Sequence, residues 1–440
     1  MLTTTMKPER QELAEGIFFS RIPIDKFKTA HLSIYFITPL CDEAAASRVA
    51  LLPSVLRRGS QGHPTAASLS RWQEELYSAT LGSSVFKTGD QQVLTFSVSA
   101  LRGKFVPDGQ DLLPEAASLL TEVVFDPAID PTSAVFFEEY VEGEKRNLIN
   151  RIRSIQNSKA TYAAMRCASI MHEGEACGIH EYGTVEEVAR ITPAALYTAY
   201  RALLAEARIE IFYAGTEDSD KVLSCIRPAL ERIRRYPHTL HVTKVRGQKG
   251  RRKAVTERTE AAQARLCLGF RTGVSFADRD AMALALCNYV YAASPTSKLF
   301  VNVRERLSLC YSCSASLSLS AGTLTVSAGL ETGKRRRAVR EIKKQLRKMK
   351  AGKITERELM MAKKTMEGLY LSLYDSPIAL ERWYLVRYLF GVDTDIATAG
   401  AEIAGITVKD IARVAALIKL DTVYFLRAER GAGEEDEVDE

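Results

Sequence analysis

This chain has few residues that could bind a metal or act as nucleophiles at the spacings found in metal or catalytic sites. Cys310 and Cys313 form a Cys-x-x-Cys pair, a spacing common in zinc and redox sites. The surrounding segment favours a β-strand, in which an odd separation directs two side chains to opposite faces. No second cysteine pair complements them. A metal or redox role is therefore not favoured.

His172, Cys177 and His180 form a second candidate metal group. They lie in a glycine-containing connection after a predicted helix, and no fourth ligand has an obvious spacing. We therefore predict no metal and no cofactor bound by this chain.

Motifs of self-contained active sites are missing from the sequence. It has no phosphate-binding P-loop, no Gly-x-Gly-x-x-Gly turn, no Gly-x-Ser-x-Gly elbow and no histidine pair at i and i+4. A conventional active site within this one chain is not indicated.

The elements that would position any site occur twice. Val185–Gly215 and Ala401–Ala428 each predict an amphipathic helix that begins at an Ile-Thr pair and leads into a strand. The segments 31–36 and 264–270 are alternating strands that occur earlier in the same order. A short polar run that interrupts the apolar pattern occurs at Gln156 in the first copy and at Tyr374 in the second. We predict two copies of one module.

Length and composition agree with two domains. A chain of 440 residues with 46% hydrophobic content can bury two α/β cores. We predict an N-terminal domain at 1–235, a basic linker at 236–263, a C-terminal domain at 264–428 and an acidic disordered tail at 429–440. The sequence lacks a signal peptide and a membrane-spanning segment, and its eight scattered cysteines favour reduced thiols, so we expect a cytoplasmic protein without membrane association.

The net charge of +6 is modest, and its densest basic cluster is Lys334–Lys353. Val339, Ile342, Leu346 and Met349 recur within it at helical spacing. This pattern favours a helix with one buried stripe and a solvated basic face. Binding of nucleic acid or another acidic partner is the alternative, which the lack of interleaved aromatic residues disfavours.

Three further runs carry a family resemblance: Leu51–Ser60, Glu144–Ile152 and Asn302–Ser312. With the duplicated plan they resemble the insulinase and pitrilysin family of zinc peptidases, specifically its short two-domain chains and a bacterial non-catalytic subgroup associated with modification of elongation factor P. The resemblance implies an α+β fold, with two homologous α/β-sandwich domains in tandem as in mitochondrial processing peptidase and insulinase.

Active members of that family bind zinc through an inverted His-x-x-Glu-His motif, and the resemblance places its three functional positions on Ala50, Pro53 and Ser54. None of these side chains can replace an imidazole ligand or a carboxylate base. The family's third ligand, a glutamate, corresponds to Arg151. The resemblance therefore implies that the zinc motif is degenerate and that this chain alone is not a peptidase.

The resemblance also implies a site in the second half. In two-chain members one chain supplies zinc, and the other supplies an Arg and a Tyr that contact the substrate carbonyl. Arg304 and Tyr311 match that motif, and both side chains can donate hydrogen bonds to an oxyanion. Ser308 replaces the usual glycine. The alternative is structural, with Arg304 at a helix C-terminus and Tyr311 packed on a strand.

By the same resemblance, a peptide would add as a strand to an exposed sheet edge, and Val93–Leu101 is a candidate edge. Three functions follow. The first is a non-catalytic subunit that forms a heterodimer with a zinc-bearing paralogue and contributes substrate binding. The second is a pseudoenzyme scaffold or maturation factor that binds a peptide or protein without cleavage, in connection with elongation factor P modification. Nucleic-acid binding is third and least favoured.

Overall fold

A computed structural model of the chain describes residues 7–240, 242–247, 250–260 and 263–428. They contain eleven β-strands in two sheets. The strands are β1 Glu9–Ala14, β2 Ile17–Ile22, β3 Thr29–Pro39, β4 Thr80–Thr88, β5 Gln91–Leu101, β6 Arg208–Ala214, β7 Lys253–Thr259, β8 Ala264–Arg271, β9 Ser312–Ser318, β10 Thr323–Leu330 and β11 Lys419–Ala428. The predicted acidic tail at 429–440 lies outside the described residues.

Helices connect and cover these strands. They are α1 Glu43–Leu56, α2 Ala66–Glu75, α3 Leu113–Phe125, α4 Glu138–Ser154, α5 Lys159–Met171, α6 Val185–Ala189, α7 Pro193–Glu206, α8 Ser219–Glu231, α9 Ala281–Asn288, α10 Arg335–Lys350, α11 Glu356–Leu373, α12 Pro377–Leu389, α13 Ile396–Gly405 and α14 Val408–Leu417. Within the described part, no helix has both the length and the apolar composition needed to cross a bilayer.

Five of the six strands of the first sheet have the topology of the five-stranded second sheet, and β1 is an additional edge strand. The first has the order β1-β2-β6-β3-β5-β4 and the second β7-β11-β8-β10-β9. In each sheet one pair is parallel, β2 with β6 and β7 with β11, and the pairs that follow toward β4 and β9 are antiparallel. The predicted fold of two similar α/β units in tandem is confirmed.

The Ile-Thr pairs begin helices for a local reason. Thr192 precedes α7, and its hydroxyl accepts a hydrogen bond from the Ala195 amide. Thr407 precedes α14 and forms a full capping box with Asp410. A side-chain oxygen at this position binds an amide that the first helical turn leaves unpaired. Each helix then leads into the strand that follows it, β6 or β11.

Each sheet buries one face under helices of its own unit. In the first unit, Leu32, Ile34 and Phe36 alternate along β3 into a core with α1, α3 and α7. In the second unit, Leu266 and Leu268 do the same along β8 beneath α9, α10 and α14. Period-2 burial on a sheet and period-3.6 burial on its covering helices form one core per unit.

The compact units differ from the predicted domains because α5 crosses between them. The first unit consists of Met1–Arg153 and Ile179–Val242, and the second of Ser154–Gly178 and Thr243–Glu440. Ala163, Cys167 and Met171 lie on one face of α5 and are buried. They cover the face of the second sheet that Cys267 and Tyr424 present, opposite its main core.

Polar contacts also hold α5 in the second unit. Arg166 and Tyr162 on α5 both bind the Glu257 carboxylate, Arg166 at 2.7 Å and Tyr162 at 3.0 Å. Glu257 belongs to β7, which pairs in parallel with β11. The predicted linker at 236–263 therefore contains a strand of the second sheet.

Candidate functional site

Arg304 and Tyr311 lie on consecutive pieces of one turn in the second unit. Arg304 is in a short π-helical segment, Phe300–Glu305, and Tyr311 directly precedes β9. Both line one cavity of about 410 Å³, together with Ser308, Cys310, Glu331 and Lys334. The structure therefore brings the two predicted residues to one cavity, whose volume is within the range of ligand pockets.

Neither side chain has the structural role that was the alternative. Tyr311 is 56% exposed, so it does not pack on a strand face. The Arg304 guanidinium lies 4.6 Å from the centre of the Phe300 ring and 3.4 Å from a Glu305 carboxylate oxygen. It binds no carbonyl at a helix C-terminus within the described residues. Both polar groups remain accessible to a ligand.

A small network fixes the tyrosine hydroxyl. Tyr311 donates to Glu331 Oε1 at 3.1 Å, and Lys334 Nζ lies 2.9 Å from the same oxygen. Hydrogen bonds from Lys334 and Tyr311 lower the pKa of Glu331. A Glu331 carboxylate that stays charged orients the phenol by accepting its proton until another acceptor competes for that hydrogen bond.

Ser308 keeps the turn that a glycine would form. Its φ is +46°, in the left-handed region that a side chain disfavours. The Ser308 amide donates to the Arg304 carbonyl at 3.1 Å, and the Leu309 amide donates to the Val303 carbonyl at 3.0 Å. The serine therefore preserves the turn between Arg304 and Tyr311 at a cost in backbone strain.

Cys310 and Cys313 contact each other, which corrects the expectation that they point to opposite faces. The rule of alternating sides applies only within a strand, and β9 begins at Ser312, after Cys310. The hydrogen bond between the two thiols lowers the pKa of Cys310 and raises that of Cys313. Both residues are buried and unbridged.

The exposed edge nearest this cavity is β9, not the candidate predicted from sequence. Residues 93–101 belong to β5, which pairs with β3 on one side and β4 on the other. That strand is therefore internal and cannot accept a peptide. Among the described strands of the second sheet, β9 pairs with β10 alone, and it begins at the residue after Tyr311. A peptide added to β9 would pass beside Tyr311.

The positions that the resemblance assigns to the zinc motif lie in two helices, α1 and α4. Ala50 and Pro53 are buried in α1, and Ser54 is exposed. Proline has no amide hydrogen, so position 53 lacks one bond of the helical ladder. Arg151, on α4, is exposed, and its guanidinium lies 5.5 Å from the centre of the Tyr182 ring. These side chains offer no imidazole or carboxylate to a metal.

In the described part of the chain, one group of His, Cys and acidic side chains has metal-like spacing: His172, Glu175 and Cys177. The His172 Nδ1 atom is 2.8 Å from Glu175 Oε2 and 3.1 Å from the Cys177 sulfur. His180, the third residue predicted for this group, belongs to the other unit. Sequence reasoning missed Glu175, although its spacing in His-x-x-Glu-x-Cys could have indicated it.

Arg271 already engages that carboxylate. Its Nη2 atom is 2.8 Å from Glu175 Oε1, and its Nε atom is 3.1 Å from Asp421. Burial raises the pKa of Glu175, but hydrogen bonds from His172 and Arg271 outweigh it, and the net shift is downward. The group is thus satisfied by its own hydrogen bonds, and the absence of a metal from this chain stays a prediction.

Comparisons with known proteins bear on both regions. The family model described as "Peptidase M16 inactive domain" matches residues 190–366. A "Probable inactive metalloprotease YmfF" of Bacillus subtilis is 30% identical over 417 residues, covering 95% of this chain and 97% of that protein. An "Uncharacterized zinc protease YmxG" of the same species is 33% identical over 131 residues, covering 29% of this chain and 32% of that protein.

Among solved structures, a conserved protein from Enterococcus faecalis V583 superposes with a TM-score of 0.89 at 28% identity. The match covers 96% of this chain and all but 1% of that one. The similarity therefore extends over both units.

Proposed function

Because the chain belongs to the peptidase M16 family, among its inactive homologues, we propose that it is the non-catalytic subunit of a two-chain zinc peptidase. A zinc-bearing paralogue supplies the metal. This chain supplies Arg304 and Tyr311, which hydrogen-bond the substrate carbonyl as it becomes an oxyanion. The observation that carries the proposal is the cavity that both residues line, next to the edge strand β9.

Each residue has a distinct role in that proposal. The Arg304 guanidinium supplies a permanent positive charge and N–H donors, which favour the charged transition state over the neutral substrate. The Tyr311 hydroxyl rotates from Glu331 to donate to the oxyanion. The edge of β9 binds substrate backbone, so recognition tolerates many sequences. Zinc and its activated water belong to the partner, since Ala50, Pro53, Ser54 and Arg151 cannot provide them.

The strained turn supports retention of a function. A residue at positive φ costs about 1–3 kcal/mol when it is not glycine, and such strain concentrates at functional sites. Ser308 has this strained conformation and lies between Arg304 and Tyr311. The free cysteines support the expectation of a cytoplasmic location, where thiols remain reduced.

The test is reconstitution with a zinc-bearing M16 paralogue from the same genome. Arg304→Ala and Tyr311→Phe should each lower kcat by about 10²–10³-fold, the usual effect of removing an oxyanion donor. Arg306→Ala is the matched control, because Arg306 is exposed in the same turn but does not line the cavity. Size-exclusion chromatography should show unchanged assembly for all three variants.

The outcomes separate the two leading functions. Equal turnover by wild type and both site variants would refute the roles of Arg304 and Tyr311. A complex that binds peptides but never cleaves them would instead establish the alternative, a pseudoenzyme scaffold or maturation factor, including one that acts in elongation factor P modification. The buried Ala50 and Pro53 are equally consistent with that alternative, since neither function needs zinc in this chain.

A further inference from the structure

The positive charge of this protein is concentrated on one helix. The sixteen residues of α10 include nine basic residues and one glutamate, a net charge of +8 against +6 for the whole chain. Of the apolar stripe predicted from sequence, Ile342, Leu346 and Met349 are buried, and Val339 is half-buried. The positive charge of α10 therefore lies on its remaining faces, and the rest of the chain offsets only a small part of it.

Part of that charge lines a groove rather than an open surface. A cavity of about 810 Å³ in the second unit lies between α10 and the strands β7, β8 and β11. Its apolar floor includes Phe270, Leu420 and Val423. Among the described residues its lining contains no Asp or Glu, and the basic ones are Arg252, Arg335, Arg336, Arg340, Lys343, Arg347, Lys350 and Lys419. We call this cavity the basic groove.

Three cations of the basic groove are not neutralised by the part of the chain that the structure describes. Arg340, Lys343 and Arg347 are exposed, and none forms an ion pair with another described residue. Burial, and then the charge of Lys419, lowers the pKa of Lys350. A solvated surface lysine would not lose hydration in this way. An anion bound in the groove would therefore offset the desolvation and repulsion that the Lys350 amine experiences.

The sequence itself contains an anion of suitable size. Residues 434–440, EEDEVDE, carry six acidic side chains among seven and follow β11 after a short connection with two glycines. They lie outside the described residues. Extended, seven residues span about 23 Å at about 3.3 Å each, and the sixteen-residue helix α10 is about 24 Å long.

The direction of β11 brings that segment to the correct end of the groove. The Arg335 guanidinium, at the start of α10, lies 4.9 Å from the centre of the Phe425 ring. The Lys350 amine, at the end of α10, donates to the Ile418 carbonyl at 2.8 Å. The helix and β11 are therefore antiparallel, and the chain leaves β11 near the start of α10.

We propose that residues 434–440 bind in the basic groove along α10, as a built-in competitor for anionic ligands. A short tether gives an effective concentration of the order of 1 mM, so a segment that binds as a free peptide with a Kd of about 100 µM occupies the groove about 90% of the time. An external anion must then displace it, and its apparent affinity falls about tenfold. The groove thereby accepts only ligands with denser charge than this segment.

The first experiment compares the full chain with a chain that ends at Ala428. Fluorescence anisotropy at low salt measures binding of a labelled peptide with the sequence of residues 433–440. The shortened chain should bind it at least tenfold more tightly than the full chain, and binding should weaken steeply as salt increases. Equal affinities for the two chains would overturn the proposal.

A matched pair of variants separates the groove from general charge attraction. In the shortened chain, Arg340→Glu/Lys343→Glu/Arg347→Glu reverses three residues that line the groove. Arg337→Glu/Lys344→Glu/Lys348→Glu makes the same change in charge on the part of α10 outside it. Peptide affinity should fall at least tenfold in the first variant and less than threefold in the second. Equal losses would overturn the proposal.

A single-stranded oligonucleotide of about twelve residues tests the competing occupant. It should bind the full chain at least tenfold more weakly than the shortened chain, as the peptide does. If it binds both chains equally and more tightly than the peptide, the groove is a nucleic-acid interface and self-occupancy is refuted. Circular dichroism of each variant checks that α10 and the second unit remain folded.

Discussion

Helix α1 and the turn from Phe300 to Tyr311 are the two regions in which the family resemblance places function, and they differ in burial and backbone strain. In α1 the positions that the resemblance assigns to the zinc motif include a buried Ala50 and a buried Pro53. In the turn Arg304 and Tyr311 stay exposed beside a cavity, and Ser308 keeps a strained φ of +46°. The first region is closed by packing, whereas the second keeps exposed side chains and backbone strain that packing alone would remove.

The largest expected effect comes from restoring a ligand to the closed region. Ala50→His should lower the free energy of unfolding by about 2–3 kcal/mol, because the ring must enter a filled core and bury a polar group. Ser54→His, at the exposed position of the same helix, should change it by less than about 0.5 kcal/mol. Urea denaturation measures both. Equal small effects would show that α1 is still open enough to hold a ligand.

An effect of opposite sign is expected in the open region. Ser308→Gly should raise the free energy of unfolding by about 0.5–1 kcal/mol, because strain relief exceeds the added entropy of the unfolded chain. Leu307→Gly, at the neighbouring position without a positive φ, should lower it. The same denaturation experiment checks both signs. Destabilisation by Ser308→Gly would mean that the turn is not strained by its side chain.

The smallest effect concerns the network that orients Tyr311. The folded-state pKa of Glu331 lies below the ordinary value of 4.5, because Lys334 and Tyr311 hydrogen-bond its charged form. Its ionisation therefore stabilises the fold above pH 4.5, and that contribution is lost as the pH falls through the folded-state pKa. Thermal unfolding midpoints measured from pH 7 to 3 should fall more steeply for wild type than for Glu331→Gln. Parallel curves would place Glu331 outside any such network.

Local features of this fold were predictable, and long-range pairings were not. The cap residues Thr192 and Thr407 and the strands β3 and β8 follow from patterns within a few residues. The apolar stripe of α5 predicted burial but not which sheet it would cover. Strand β5 was mistaken for an edge, although β4 joins it through the two-residue turn Gly89-Asp90 and this hairpin is a local pattern. Its other partner, β3, lies some fifty residues earlier and is identified only by tertiary contact.

The candidate site shows the same division. A motif placed Arg304 and Tyr311, but the cavity beside them depends on Glu331 and Lys334, which lie twenty or more residues later in the chain. The strain at Ser308 was also invisible, because a serine in sequence does not reveal a positive φ. The side-chain direction of Cys310 was predicted wrongly, because the sequence suggested a strand that already included Cys310, whereas β9 begins at Ser312.

The crossing of α5 into the second unit has a consequence for synthesis on the ribosome. Its buried face needs β11, whose last residue, Ala428, follows Gly178 by 250 positions. At about 5–20 residues per second, α5 emerges about 12–50 s before that strand exists. During this interval its apolar residues are unsheltered and available to chaperones. The two units are thus unequal in time, because the first is complete once Val242 has been translated, whereas the second is complete only when translation reaches the end of β11.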